Sequence, residues 1–201
     1  WVKDKEVDLP KPVLKPKLVA AKRENGYLAK YRASGHSPEF LSGEQLFTSG
    51  RPDAVSFGLT VHKVFEQIDW VGELAFAKLK LLRETLPDEA VDEVEQCLVC
   101  ETLAKYLAKP EADVELWRER AFDVVLGNKM ISGVFDRVHL FADRAEIIDF
   151  KTDTEGDRTA ELYTPQLQLY RSALAKLTGL EEAAIRCLLI FTYTCSVLKV
   201  E

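Results

Sequence analysis

Apolar residues recur at Val61, Val64, Phe65 and Ile68, the i, i+3, i+4, i+7 spacing of one buried stripe, and this predicts a helix over 58–70. Further helical periodicity follows over 73–85 and 88–107. Leu86-Pro87-Asp88 marks the break between them, with Asp88 placed to cap the second, and Lys109-Pro110 closes this helical half. The pattern then changes to strand character. Residues 114–126 and 130–140 form a hairpin through Gly127-Asn128-Lys129, and 145–151 returns through a turn at Ala142-Asp143-Arg144. An acidic loop over 152–160 leads to a helix over 165–177, with Thr164 as N-cap and Pro165 in its first position. A last strand, 184–194, is apolar on both faces and so belongs inside a sheet. This order gives an α/β fold: a central mixed sheet flanked by helices, with an extra helical insertion before the first strand of the meander.

The first 35 residues break this pattern. Pro10, Pro12 and Pro16 stand among lysines, which favours an extended arm over a packed element. Residues 34–57, rich in Ser, Gly and Pro, read as loop. The expected organisation is a basic, Pro-rich arm over 1–35 and a single domain over 36–201. Charge follows the same division: nine Lys/Arg against four Asp/Glu in the arm, and 18 against 29 beyond it, for a net charge of −6. An acidic body still binds a polyanion where metal ions offset its local field, so the overall charge does not exclude nucleic acid. The longest unbroken apolar run is the five residues 187–191, too short for a membrane span or a signal-peptide core. The chain starts at Trp1 and reads as a piece of a longer protein.

Cys97-Leu-Val-Cys100 lies in helical sequence, and Cys187 and Cys195 lie in a strand-like run. Neither pair has zinc-site spacing relative to the other, so the four read as small apolar residues of a reducing, cytoplasmic setting.

Candidate chemistry gathers on the sheet. Asp149 and Lys151 share one face of their strand while Phe150 takes the other. A surface ion pair at a strand end is the plainer reading. Asp136 lies on the preceding strand, and a hairpin centred between Ala142 and Asp143 sets it opposite Asp149. Two carboxylates that close call for a proton or a cation between them, and a hard divalent ion suits their oxygens; alternatively Asp136 pairs with Arg137 or Arg144. His62 sits at the margin of the stripe on the 58–70 helix, about 100° round from Val61, where it either packs or acts as a ligand. Gln166 and Tyr170 lie one turn apart on the buried face of the 165–177 helix. There they either serve a ligand or satisfy the loop after Lys151, because a buried amide left unpartnered costs about 1–3 kcal/mol.

In order, Gly58-x-x-x-His62, Glu119-x-x-Phe122, Gly133-x-x-Asp136, Asp149-x-Lys151-Thr152 and Gln166-x-x-x-Tyr170 resemble the nuclease domain of RecB and AddA proteins, in the PD-(D/E)XK nuclease superfamily. The resemblance covers about 56–195 and implies a restriction-endonuclease-like core. It implies a metal site of His62, Asp136, Asp149 and the backbone carbonyl of Phe150, holding Mg2+ or Mn2+. It gives a catalytic role to Asp136, Asp149 and Lys151, assigns DNA contact to Gln166 and Tyr170, and leaves Glu119 a secondary acidic position. The implied activity is exonucleolytic hydrolysis of DNA, at single-stranded ends, in repair or recombination, beside a fused or associated superfamily 1 helicase and away from membranes. Some relatives hold an iron–sulphur cluster through one upstream Cys and a Cys triad after the Gln–Tyr helix. The cysteines here are placed otherwise, so no cluster is expected. The alternative is a nuclease fold without catalysis, serving as a DNA-binding or interaction module.

Overall fold

The computed structural model describes residues 30–32, 54–152 and 156–200. Most of the basic arm and of the loop over 34–57 lies outside them, as does the middle of the acidic loop. Strand β1 (Lys30–Arg32) precedes four helices: α1 (Ala54–Gln67), α2 (Glu73–Leu82), α3 (Asp88–Val99) and α4 (Glu101–Leu107). Then come β2 (Glu115–Leu126), β3 (Lys129–Leu140), β4 (Ala145–Lys151), α5 (Gly156–Thr178), β5 (Ile185–Phe191) and β6 (Ser196–Val200). Among the described residues no helix is long and apolar enough to cross a membrane.

The six strands form one mixed sheet in the order β1-β3-β4-β5-β6, with β2 paired along the other edge of β3. The β3–β4 hairpin has the register read from its turn, Arg137 opposite Ile148. Its ladder runs out there, and β1 takes over the freed edge of β3 in parallel, Lys30 opposite Met130. The packed sheet therefore includes residues 30–32, which the sequence assigns to the arm.

Alternation along β4 and β5 sorts the core into two layers. Ile148, Phe150, Leu188 and Ile190 face α1–α4, while Ile147, Cys187, Leu189 and Phe191 face α5 with Phe122, Phe135, Leu167 and Tyr170. Both strands are apolar on both sides, as expected of an inner pair.

Several local expectations are corrected. The single helix expected over 88–107 is two, because Cys100 is extended (φ −69°, ψ 117°) and separates α3 from α4. Pro87, not Asp88, is the N-cap of α3, and Asp88 stands in the first turn, where its charge favours the helix dipole. Helix α5 starts at Gly156, so Thr164 is not its N-cap and Pro165 lies inside it. An interior proline costs about 3 kcal/mol, and Tyr163, on the added turns before it, packs against the core. The strand expected over 184–194 ends at Phe191; a turn follows, and β6 comes back antiparallel. That turn has no Gly, Pro or Asn to announce it, and Cys195 takes its left-handed position at φ 51°.

Candidate active site

Helix α1 brings His62 over the end of β4. Gly58 permits the approach, since a Cβ there would sit 3.2 Å from Thr152 Oγ1. Below it, Phe65 stacks on Phe150 with ring centroids 3.9 Å apart, which fixes the backbone of the β4 end against the helix.

The β2–β3 hairpin supplies the acids through a fault in its alternation. Phe122, Val124, Ile131 and Phe135 face α5. Yet Arg118 and Glu119 both reach α1 or its exit, and so do Asp136 and Arg137 on the opposed strand. Two successive residues thus face the same way on each strand. Glu119 makes this possible by adopting φ 43°, a conformation costing about 1–3 kcal/mol in a non-glycine residue. Arg118 donates to the carbonyl of Glu66 and pairs with Asp69 at 2.7 Å. Arg137, buried, donates to the carbonyls of Ile68 (3.0 Å) and Asp69. Both grip the C-terminal end of the helix that carries His62. Arg137 therefore pairs with the helix exit and not with Asp136, and Arg144 pairs with Asp143 at 3.1 Å.

Acceptors surround His62. Its Nδ1–H donates to Glu119 Oε1 at 3.2 Å with Asp136 Oδ1 3.6 Å away, and its Nε2–H donates to the carbonyl of Phe150 at 3.2 Å. Asp136 Oδ2 accepts the backbone N–H of Phe150 at 2.9 Å, replacing the ladder bond lost where β3 and β4 separate. Burial works against charge on the imidazole, but Asp136 and then Glu119 outweigh it and hold its pKa at about 10. Burial likewise works against charge on Asp136, and the His62 cation prevails, keeping that carboxyl below its usual range. Ligand atoms of His62, Glu119 and Asp136 all lie within 4.8 Å of one another, the one such group of three or more His, Cys, Asp or Glu among the described residues.

Asp149 stands beside this group and outside it. It is buried on the α5 side, with Oδ2 in an ion pair 2.6 Å from Lys151 Nζ. Burial raises its pKa to about 6, against the pull of Lys151 and with the push of Asp136. The Lys151 ammonium also lies 4.4 Å from the centre of the Tyr163 ring, and the Lys151 carbonyl accepts from the N–H (2.8 Å) and hydroxyl (3.1 Å) of Thr192. Tyr170 is a core residue, 1% exposed, edge-on to Phe122 and Phe135. Gln166 donates to its hydroxyl at 3.1 Å and is the half-buried member of the pair. Gly133 gives the ring room, since a Cβ there would meet Phe122 at 2.7 Å and Tyr170 at 3.1 Å.

Of the residues singled out in the sequence, the fold gathers His62, Asp136 and the Phe150 carbonyl. It sets Asp149 and Lys151 side by side next to them, and draws in Glu119 as a direct partner of His62. Sequence reasoning gives no role to Thr192 or Arg118 and offers Arg137 only as a partner of Asp136, so it misses the grip of both arginines on α1. Their one signal was the adjacency of Arg118 to Glu119 and of Asp136 to Arg137 at opposed positions of one hairpin.

Residues 27–197 match the sequence model of the PD-(D/E)XK nuclease superfamily, and the chain belongs to that superfamily. Its sheet and flanking helices are those of a restriction-endonuclease-like α/β fold. No curated protein sequence matches the chain. Among solved structures, one titled "Crystal structure of SSO0001" is similar at 14% identity, covering 73% of this chain and 78% of that one with a TM-score of 0.32.

Proposed function

We propose that this chain is the DNA-hydrolysing domain of a RecB/AddA-type helicase–nuclease, a Mg2+- or Mn2+-dependent exonuclease acting on single-stranded ends. The observation that carries this reading is the convergence of His62, Glu119 and Asp136 within 4.8 Å, with the Phe150 carbonyl 3.2 Å from the same histidine. One nitrogen and several oxygens make a donor set suited to a hard divalent ion. The buried Asp149 carboxylate, ion-paired with Lys151 at 2.6 Å, adds negative charge beside this group. When bound, such an ion polarises a phosphoryl oxygen and lowers the pKa of a coordinated water. His62, Asp136 and the Phe150 carbonyl would hold it, with Asp149 and Glu119 completing the acidic surround. Lys151, kept within reach by Asp149, orients the attacking water and stabilises charge on the phosphate. Gln166 is the accessible group of its pair for a DNA strand, and Tyr170 fixes its position.

The test uses the purified chain with end-labelled linear single strands, linear duplex and closed circles. Linear strands should shorten in Mg2+ or Mn2+ and stay whole in EDTA, with circles spared. Cleavage that persists in EDTA, or that Asp136→Ala leaves intact, would overturn the metal-dependent reading. Equal attack on circles would overturn the exonuclease.

A further inference from the structure

Three of the four cysteines meet on the face of the sheet covered by α3 and α4, at the turn between β5 and β6. Cys97 Sγ lies 3.4 Å from the Thr192 carbonyl, Cys195 Sγ 3.7 Å from the same oxygen, and Cys100 Sγ 3.8 Å from the Cys195 carbonyl. Cys97 and Cys195 share one acceptor, and the Cys100 thiol donates to the backbone of Cys195 itself. Residues 95 or more apart in sequence are thus brought to one turn, and none of them is in a disulfide.

We propose that Cys100 and Cys195 are a redox-active pair that closes into an intramolecular disulfide under peroxide. Cys97 is buried, whereas Cys100 and Cys195 are both partly exposed, so a small oxidant reaches this pair first. Cys100 stands at the break between α3 and α4. Burial disfavours its thiolate, but the N–H groups of Leu103 and Thr102 and the neighbouring thiol outweigh burial and lower its pKa. Burial raises the pKa of Cys195 and of Cys97. Cys100 is therefore the attacking sulphur and Cys195 the resolving one. The Cys100 thiolate attacks one peroxide oxygen, the O–O bond breaks, and a sulfenic acid and hydroxide form. The Cys195 sulphur then attacks the sulfenic sulphur, the S–O bond breaks, and the oxygen leaves as water with the thiol proton. In sum, two thiols and one peroxide give one disulfide and two waters. Cys195 holds a left-handed φ of 51°, and its backbone carbonyl already accepts from the Cys100 thiol at 3.8 Å. Its turn contains Thr192, which donates twice to the Lys151 carbonyl, so the bond would clamp the segment that braces the end of β4.

The experiment treats the reduced chain with hydrogen peroxide and reads intact mass, a non-reducing peptide map and thermal unfolding. Expected are the loss of two hydrogens from the monomer, a linked peptide pair containing Cys100 and Cys195, and a Tm several degrees higher that returns with dithiothreitol. The rise follows from closing a long loop in the unfolded chain. Cys100→Ser and Cys195→Ser should each abolish the mass loss, and Cys97→Ser should keep it. A link through Cys97, an intermolecular dimer, or oxygen adducts without a cross-link would overturn the proposal. So would a zinc ion held by the purified chain and lost in the cysteine variants, which would make the cluster a metal site. The wild-type peptide map decides the matter even if a variant folds poorly.

Discussion

A histidine whose two ring nitrogens both face acceptors must carry both protons, and that is the state of His62. A metal taking one of those nitrogens displaces a proton held with a pKa of about 10. Binding of Mn2+ at pH 8 should therefore release about one proton, and affinity should rise about tenfold per pH unit below that pKa. Calorimetry in buffers of different ionisation enthalpy measures the release, and His62→Gln should remove it. A pH-independent affinity would mean the ion binds elsewhere. Lys151 and Asp136 make a second test at this scale. Lys151→Ala leaves the carboxylates in place, so it should keep metal binding while losing most cleavage, on the order of 100-fold or more. Asp136→Ala, which removes a member of the metal group, should lose both together. Matched unfolding of the two metal-free variants establishes that each is folded. Cleavage at the parent rate by Lys151→Ala would reduce that residue to an ion-pair partner.

At the scale of elements, the site depends on how α1 is held against the β2–β3 hairpin. Arg137 closes the exit of α1 by bonding two carbonyls, and its Nε–H donates to His139 Nε2 at 2.9 Å. Burial and then the neighbouring Arg118 lower its pKa, but only to about 9, so the guanidinium stays charged at neutral pH. Arg137→Leu strands those carbonyls in a dry setting, at a cost of about 1–3 kcal/mol. Urea unfolding should show that loss, and metal affinity should fall with it because His62 rides on the same helix. A variant as stable as the parent would show that water satisfies the helix end. The same level shows why sequence periodicity misplaced two boundaries. Pro165 reads as a helix start by local rules, and the 192–195 segment reads as strand by composition. Contacts of Tyr163 with the core, and the antiparallel return of β6 onto β5, override both.

Across the whole molecule, the half-buried His62 and the buried His139 pull stability in opposite directions with pH. Because Arg137 donates to His139 Nε2, that ring is neutral; burial lowers its pKa, with Glu146 opposing and the charge of Arg137 adding to the effect. The unfolded chain takes a proton below about pH 6.5 that the folded ring refuses, so this contribution is lost as pH falls. His62, with its pKa raised, contributes fully below about pH 6.5 and loses that contribution as pH rises toward 10. Comparison with His139→Gln isolates the first effect. The stability advantage of the parent over the variant should shrink by about 1 kcal/mol per pH unit below 6.5, measured without metal by urea unfolding from pH 7.5 to 5.5. A constant difference would mean that His139 titrates alike in the folded and unfolded chain, and an advantage that grows as pH falls would mean that the folded ring is protonated.

What the sequence by itself determined is what adjacent residues encode. The stripe of α1, the meander of β2, β3 and β4, the Arg137–Ile148 register and the inner position of β5 follow from periodicity and from turns a few residues long. The ordered motifs likewise single out His62, Asp136, Asp149 and Lys151. Periodicity assigns a side chain to a face but does not name its neighbour across the fold. Tertiary structure therefore decided that Glu119 turns to His62, that Asp149 faces Lys151 instead of joining the cluster, and that Arg118 and Arg137 hold α1. It also brought Cys97 and Cys100 to the Thr192 turn, a contact that spans 95 residues and depends on packing four helices against one sheet.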